Sequence, residues 1–105
     1  MAYDEGLAQR LREIFAERDD VTERKMFGGL AFMLSGNMCC GVLGDELMAR
    51  VGPDQYASAL EQPDARQMDF TGKALKGFVY VAYQGISSDE ELETWVERCT
   101  DFAAS

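Results

Sequence analysis

Between residues 4 and 18 the apolar positions Leu7, Leu11, Ile14 and Phe15 fall at i, i+4, i+7 and i+8, while Arg10, Glu13 and Glu17 take the opposite side. That spacing predicts an amphipathic helix with Asp4 as its N-cap, ended by Arg18-Asp19-Asp20. From Glu23 to Val51 the pattern changes to short apolar runs broken by turn residues: GLAFML (29–34), Ser35-Gly36-Asn37, MCCGVL (38–43), Gly44-Asp45 and ELMARV (46–51). The leading glycine of Gly44-Asp45 suits a type II′ turn, so the stretch reads as an antiparallel meander. Its first strand is expected to start near Arg24 and to bend at Gly28-Gly29, since glycine inside an apolar strand pattern marks a bulge or a close backbone approach.

Gly52-Pro53 opens a short helix over 54–61, with Tyr56 and Leu60 four apart on its apolar side and Pro63 closing it. RQMDF (66–70) alternates Met68 and Phe70 with polar residues and predicts a strand, followed by the loop TGKALK (71–76) and the strand GFVYVAY (77–83). Ser88 and Glu91 form a capping box ahead of a helix on which Leu92, Trp95, Val96, Cys99, Phe102 and Ala103 keep helical spacing. The order is α-β-β-β-β-α-β-β-α, the first two strands being one bent strand or two. No long parallel crossover is present, which predicts a two-layer α+β domain spanning 1–105: an antiparallel sheet, meander plus hairpin, flanked by N-terminal, short middle and C-terminal helices.

GLAFML, MCCGVL and GFVYVAY are apolar on both faces, whereas a sheet covered on one side alternates. Either the helices divide between the faces or the second face meets another chain, and a homodimer is the expectation drawn from the latter.

Composition narrows the chemistry. Histidine is absent, which excludes Ser-His-Asp and Cys-His-Asn catalysis and histidine-ligated metals. No D-x-D-x-D-G calcium loop is found, and no metal or cofactor is expected. The three cysteines, Cys39, Cys40 and Cys99, lack a C-x-x-C pair and read as small buried apolar residues. Neighbours on a strand face opposite ways, so Cys39 and Cys40 are poorly placed to pair. A reactive thiol there would need Lys, Arg or a helix N-terminus to acidify it.

The net charge is −9, and it is unevenly spread. Residues 1–20 hold six acids against three bases, residues 87–105 six against one, and the middle seven against six. Acidic terminal segments repel a phosphate backbone, so no direct nucleic-acid binding is expected. No apolar run reaches the roughly 20 residues of a membrane helix, and no secretion signal opens the chain; a cytoplasmic protein is expected.

Among the motifs, Thr71-Gly72-Lys73-Ala74 lacks the leading glycine and the Ser/Thr of a phosphate loop and reads as a hairpin loop. The paired acids sit at turns and helix ends, where they cap or stay solvated. The methionines of the strands and Trp95 read as core. Arg24, Lys25, Arg66, Lys73 and Lys76 are half of the ten bases. If the sheet brings Glu23-Arg24-Lys25 near residues 71–76, they form one basic edge on which an acidic partner could dock.

RKMFGGLAFMLSGNMCCGVLGDELMARVGP (24–53), MDFTGKALKGFVYV (68–81) and ELETWVERC (91–99) together resemble the N-terminal domain of the TfoX/Sxy proteins, from about Leu7 to Phe102. Met26, Phe27, Gly28, Gly29, Gly36, Asn37, Gly72 and Gly77 carry the resemblance, as structural landmarks without catalytic roles. It implies an α+β domain akin to type III secretion chaperones. It also implies a link to bacterial regulators of natural competence thought to assist a cyclic-AMP receptor protein; full-length relatives add a C-terminal helical domain, and a stand-alone module is expected here. The resulting expectation is a non-enzymatic, protein-binding regulatory domain. The alternative is a small-molecule-binding protein or a thiol enzyme using Cys39 or Cys40.

Overall fold

The structure, a computed structural model, describes residues 3–26, 28–68 and 77–104, without the Met26 side chain. Phe27, Phe70, Gly72, Lys73 and Lys76 lie outside the described residues.

Helix α1 spans Glu5–Ile14, and the Asp4 carboxylate accepts hydrogen bonds from the Gly6 and Leu7 amides at 2.8 and 3.4 Å. It stops a turn before the expected end. Phe15 is its C-cap and stacks on Phe32 with ring centroids 5.6 Å apart. The four strands β1 (Val21–Met26), β2 (Gly29–Leu34), β3 (Asn37–Leu43) and β4 (Glu46–Arg50) form the meander. The two glycines do not bend a single strand: Met26 pairs with Gly29, so β1 and β2 are separate antiparallel strands. Gly29 owes its place to close approach, because a Cβ there would strike the Val42 carbonyl of β3. At the next hairpin Ser35 and Gly36 both have positive φ, as a type I′ turn requires.

Helix α2 (Tyr56–Leu60) is shorter than its pattern suggested, beginning only after a turn over 53–55. Strands β5 (Ala65–Gln67) and β6 (Phe78–Val81) complete the sheet, in which β5 begins one residue before the expected 66. A 3₁₀ turn, Tyr83–Gly85, leads to α3 (Asp89–Ala103), where both halves of the Ser88–Glu91 capping box are formed.

The sheet is fully antiparallel in the order β1-β2-β3-β4-β6-β5. The apolar stripes of all three helices join one cluster with Leu30, Phe32, Val42, Leu47, Ala49, Val79 and Val81, so the helices cover one face only. On the other face Ala31, Met38, Met48, Met68 and Tyr80 form a smaller cluster, and each is buried within the single chain. The apolar second face therefore reflects a second core, and Tyr83 is the one large apolar side chain exposed among the described residues, at 48%. Within this frame Val51 and Gly52 donate their amides to the Gly77 carbonyl at 2.8 and 3.1 Å, which ties the end of β4 to the start of β6.

Candidate functional site

The turn after α2, the 3₁₀ turn and the first three turns of α3 enclose an open groove of about 430 Å³. Pro63 and Asp64 form one wall; Glu90, Glu91, Thr94 and Arg98 rise from α3, and Trp95 backs them. The helix presents these side chains together because positions 90, 91, 94, 95 and 98 fall within one stripe of its surface. Gly85 lets the opposite wall close in: a Cβ there would lie 2.7 Å from the Asp64 Cβ. Trp95 is 7% exposed, its body in the helix-side core and its remaining surface on the groove. The Arg98 guanidinium lies 5.1 Å from the centroid of the Trp95 ring and donates to the Ser58 hydroxyl at 3.5 Å. Three carboxylates against one guanidinium leave the lining with a formal charge of −2.

A second hollow beside β1, about 500 Å³, is lined by Arg12, Phe15, Val21, Thr22, Glu23 and Phe32. There Arg12 clamps Glu23 by two hydrogen bonds, 2.8 and 3.0 Å, so its charges are mutually satisfied. That pairing raises the Arg12 pKa.

The expected basic edge does not assemble from its described members. Arg24 and Lys25 are exposed on β1, at one edge of the sheet, while Arg66 is on β5 at the other edge. The strand register places Arg24 and Arg66 at opposite ends of one cross-sheet row, with Ala31, Gly41, Met48 and Tyr80 between them. Arg66 is already engaged: it forms a two-pronged ion pair with Glu46 and lies 4.6 Å from the centroid of the Tyr80 ring. Of the signature residues, Gly28 and Gly29 shape the first hairpin, Gly36 and Asn37 the second, and Gly77 the junction with Gly52.

The cysteines are buried as expected, but Cys39 and Cys40 do not face opposite ways. A β-bulge in β3 sets Cys40 opposite Phe32 and Met38 opposite Met33, leaving Cys39 as the extra residue. Both vicinal thiols then join the helix-side core, with Cys99 of α3. All three are free and buried. A hydrogen bond from Cys40 leads in lowering the Cys39 pKa, opposed by burial and helped by Thr100, whose hydroxyl is 3.7 Å from the sulfur, and by Arg18. The same contact raises Cys40 well above the usual thiol value, and burial does so for Cys99.

The model of one family, described as the TfoX N-terminal domain, matches residues 13–103 of the 105-residue chain. The chain belongs to the TfoX N-terminal domain family. No curated protein and no solved structure matches it. As a TfoX N-terminal domain it shows the α+β architecture with a six-stranded antiparallel sheet. No helix among the described residues is long and apolar enough to cross a membrane.

The groove residues Gln62, Asp64, Glu90 and Arg98 escaped the sequence reading. The one available signal was the pair Trp95 and Arg98, three apart on a helix, which marks an aromatic at the margin of the apolar stripe rather than its centre.

Proposed function

We propose that this TfoX N-terminal domain is a regulatory module that works by non-covalent docking of another protein, without catalysis, and that the partner seats in the groove along α3. The observation that carries the proposal is the groove itself, where three separate segments bring an indole wall and unevenly balanced charges to one open surface. Interface hot spots are enriched in tryptophan and arginine, and Trp95 and Arg98 stand together on this groove. The regulatory setting, transcription of the competence type, rests on family membership alone.

The test is quantitative capture from the native host with the wild-type chain and with Thr94→Arg. Thr94 is exposed on α3 and lines the groove, so the longer side chain fills it without disturbing the core. Proteins retained by the wild type and lost by the variant support the proposal; an identical set from both overturns the groove as the docking site.

The rival reading, thiol chemistry, has one observation in its favour, the lowered Cys39 pKa. Burial of all three sulfurs weighs against it, because reactive cysteines sit in accessible surroundings. Rapid iodoacetamide labelling of the native chain at neutral pH would favour the rival.

A further inference from the structure

Resting on that docking reading, we infer that the segment received by the groove is basic, with an arginine or lysine side chain entering between Asp64 and Glu90. Neither carboxylate forms an ion pair among the described residues, in contrast with Asp20, Glu23, Glu46 and Asp89, each of which pairs with an arginine. Glu91 is held by the Ser88 amide and hydroxyl at 3.3 and 2.9 Å, which fixes its charge at the same end. The partial positive charge at the start of α3 offsets part of this, about half an elementary charge. Three carboxylates outweigh it, and Glu93 stands on the adjoining surface of the helix.

The other end of the groove sets the direction of entry. Arg98 occupies the Trp95 ring and repels a second cation, so an incoming one is driven toward Asp64 and Glu90. Pro63 and Trp95 offer apolar wall to the methylene stem of a long basic side chain while its head pairs with acid. The chain's net charge of −9 steers cationic segments toward the molecule at long range. An acidic partner would meet repulsion on the same surface.

Trp95, the only tryptophan, reports binding directly. A capped Gly-Arg-Gly-Arg-Gly peptide is titrated against the folded chain by tryptophan fluorescence, with its citrulline counterpart as the uncharged control. The inference predicts a saturable change with the arginine peptide alone. Asp64→Asn with Glu90→Gln weakens it roughly five- to tenfold. Glu17→Gln with Asp19→Asn, which removes the same charge from exposed positions outside the groove, changes it less than about twofold. Equal losses in the two double variants, equal binding of the citrulline peptide, or no change in Trp95 emission each overturns the inference. If Thr94→Arg abolishes host capture while the arginine peptide fails to bind, the docking reading stands and the basic partner falls.

Discussion

Arg98 holds its guanidinium 5.1 Å from the centroid of the Trp95 ring and reaches Ser58, the middle residue of α2. One side chain thus links α3, which lines the groove, to α2, and it shields the only tryptophan of the chain.

Arg98→Ala should therefore expose Trp95. The expected result is a red-shifted emission and greater acrylamide quenching, with a stability loss of about 0.5–1 kcal/mol in urea unfolding. Unchanged emission would contradict the stacking arrangement.

Gly52 has φ +84°, and a Cβ at this position would enter the ring of Phe102. Gly52→Ala should cost about 1–3 kcal/mol from backbone strain alone, and more from the clash. In a double-mutant cycle with Phe102→Ala the two losses should be less than additive by about 1 kcal/mol. Strict additivity would show that the ring does not sit against this glycine.

The thiols give a pH dependence with a definite sign. Cys40 and Cys99 hold their protons more tightly in the folded chain than in the unfolded one, and Cys39 less tightly. Two raised groups against one lowered mean that the folded state binds more protons above the unfolded thiol value of about 8.5. Their contribution is fully present below that pH and is lost as the pH rises through the folded values. The urea midpoint should fall above about pH 8.5, and Cys40→Ala with Cys99→Ala should remove most of that fall. A midpoint that rises with pH in this window would contradict the buried, protonated thiols.

Arg66 joins Glu46 to the Tyr80 ring on the face away from the helices. Arg66→Ala should destabilise by about 0.5–1.5 kcal/mol, and part of that loss should vanish in high salt. A variant as stable as the wild type at low salt would show that this arginine is merely solvated.

The sequence pattern carried the fold further than the site. Leu7 to Ile14, the Ser88–Glu91 capping box and the alternation of turn residues through 35–46 are local signals, and local physics decides the helix start, the cap and the hairpin positions they specify. The bulge at Cys39 and the separation of Arg24 from Arg66 were not legible, because register and strand order depend on contacts between segments far apart in the chain. The double-sided apolar strands left two outcomes open, helices on both faces or a second chain. That the second face closes within one chain depended on Met68, Met48 and Tyr80 meeting across three strands or their ends. The groove was invisible for the same reason: Asp64 and Glu90 are brought together only by the packing of α3 beside the turn after α2.

Backbone amide chemical-shift mapping tests the central claim most directly, with the labelled domain titrated by the partner captured from the host. The account predicts shifts concentrated at residues 62–64, at Gly85 and along residues 88–98 of the chain, with β1 unmoved. Shifts concentrated along Val21–Met26, with the groove silent, would contradict it.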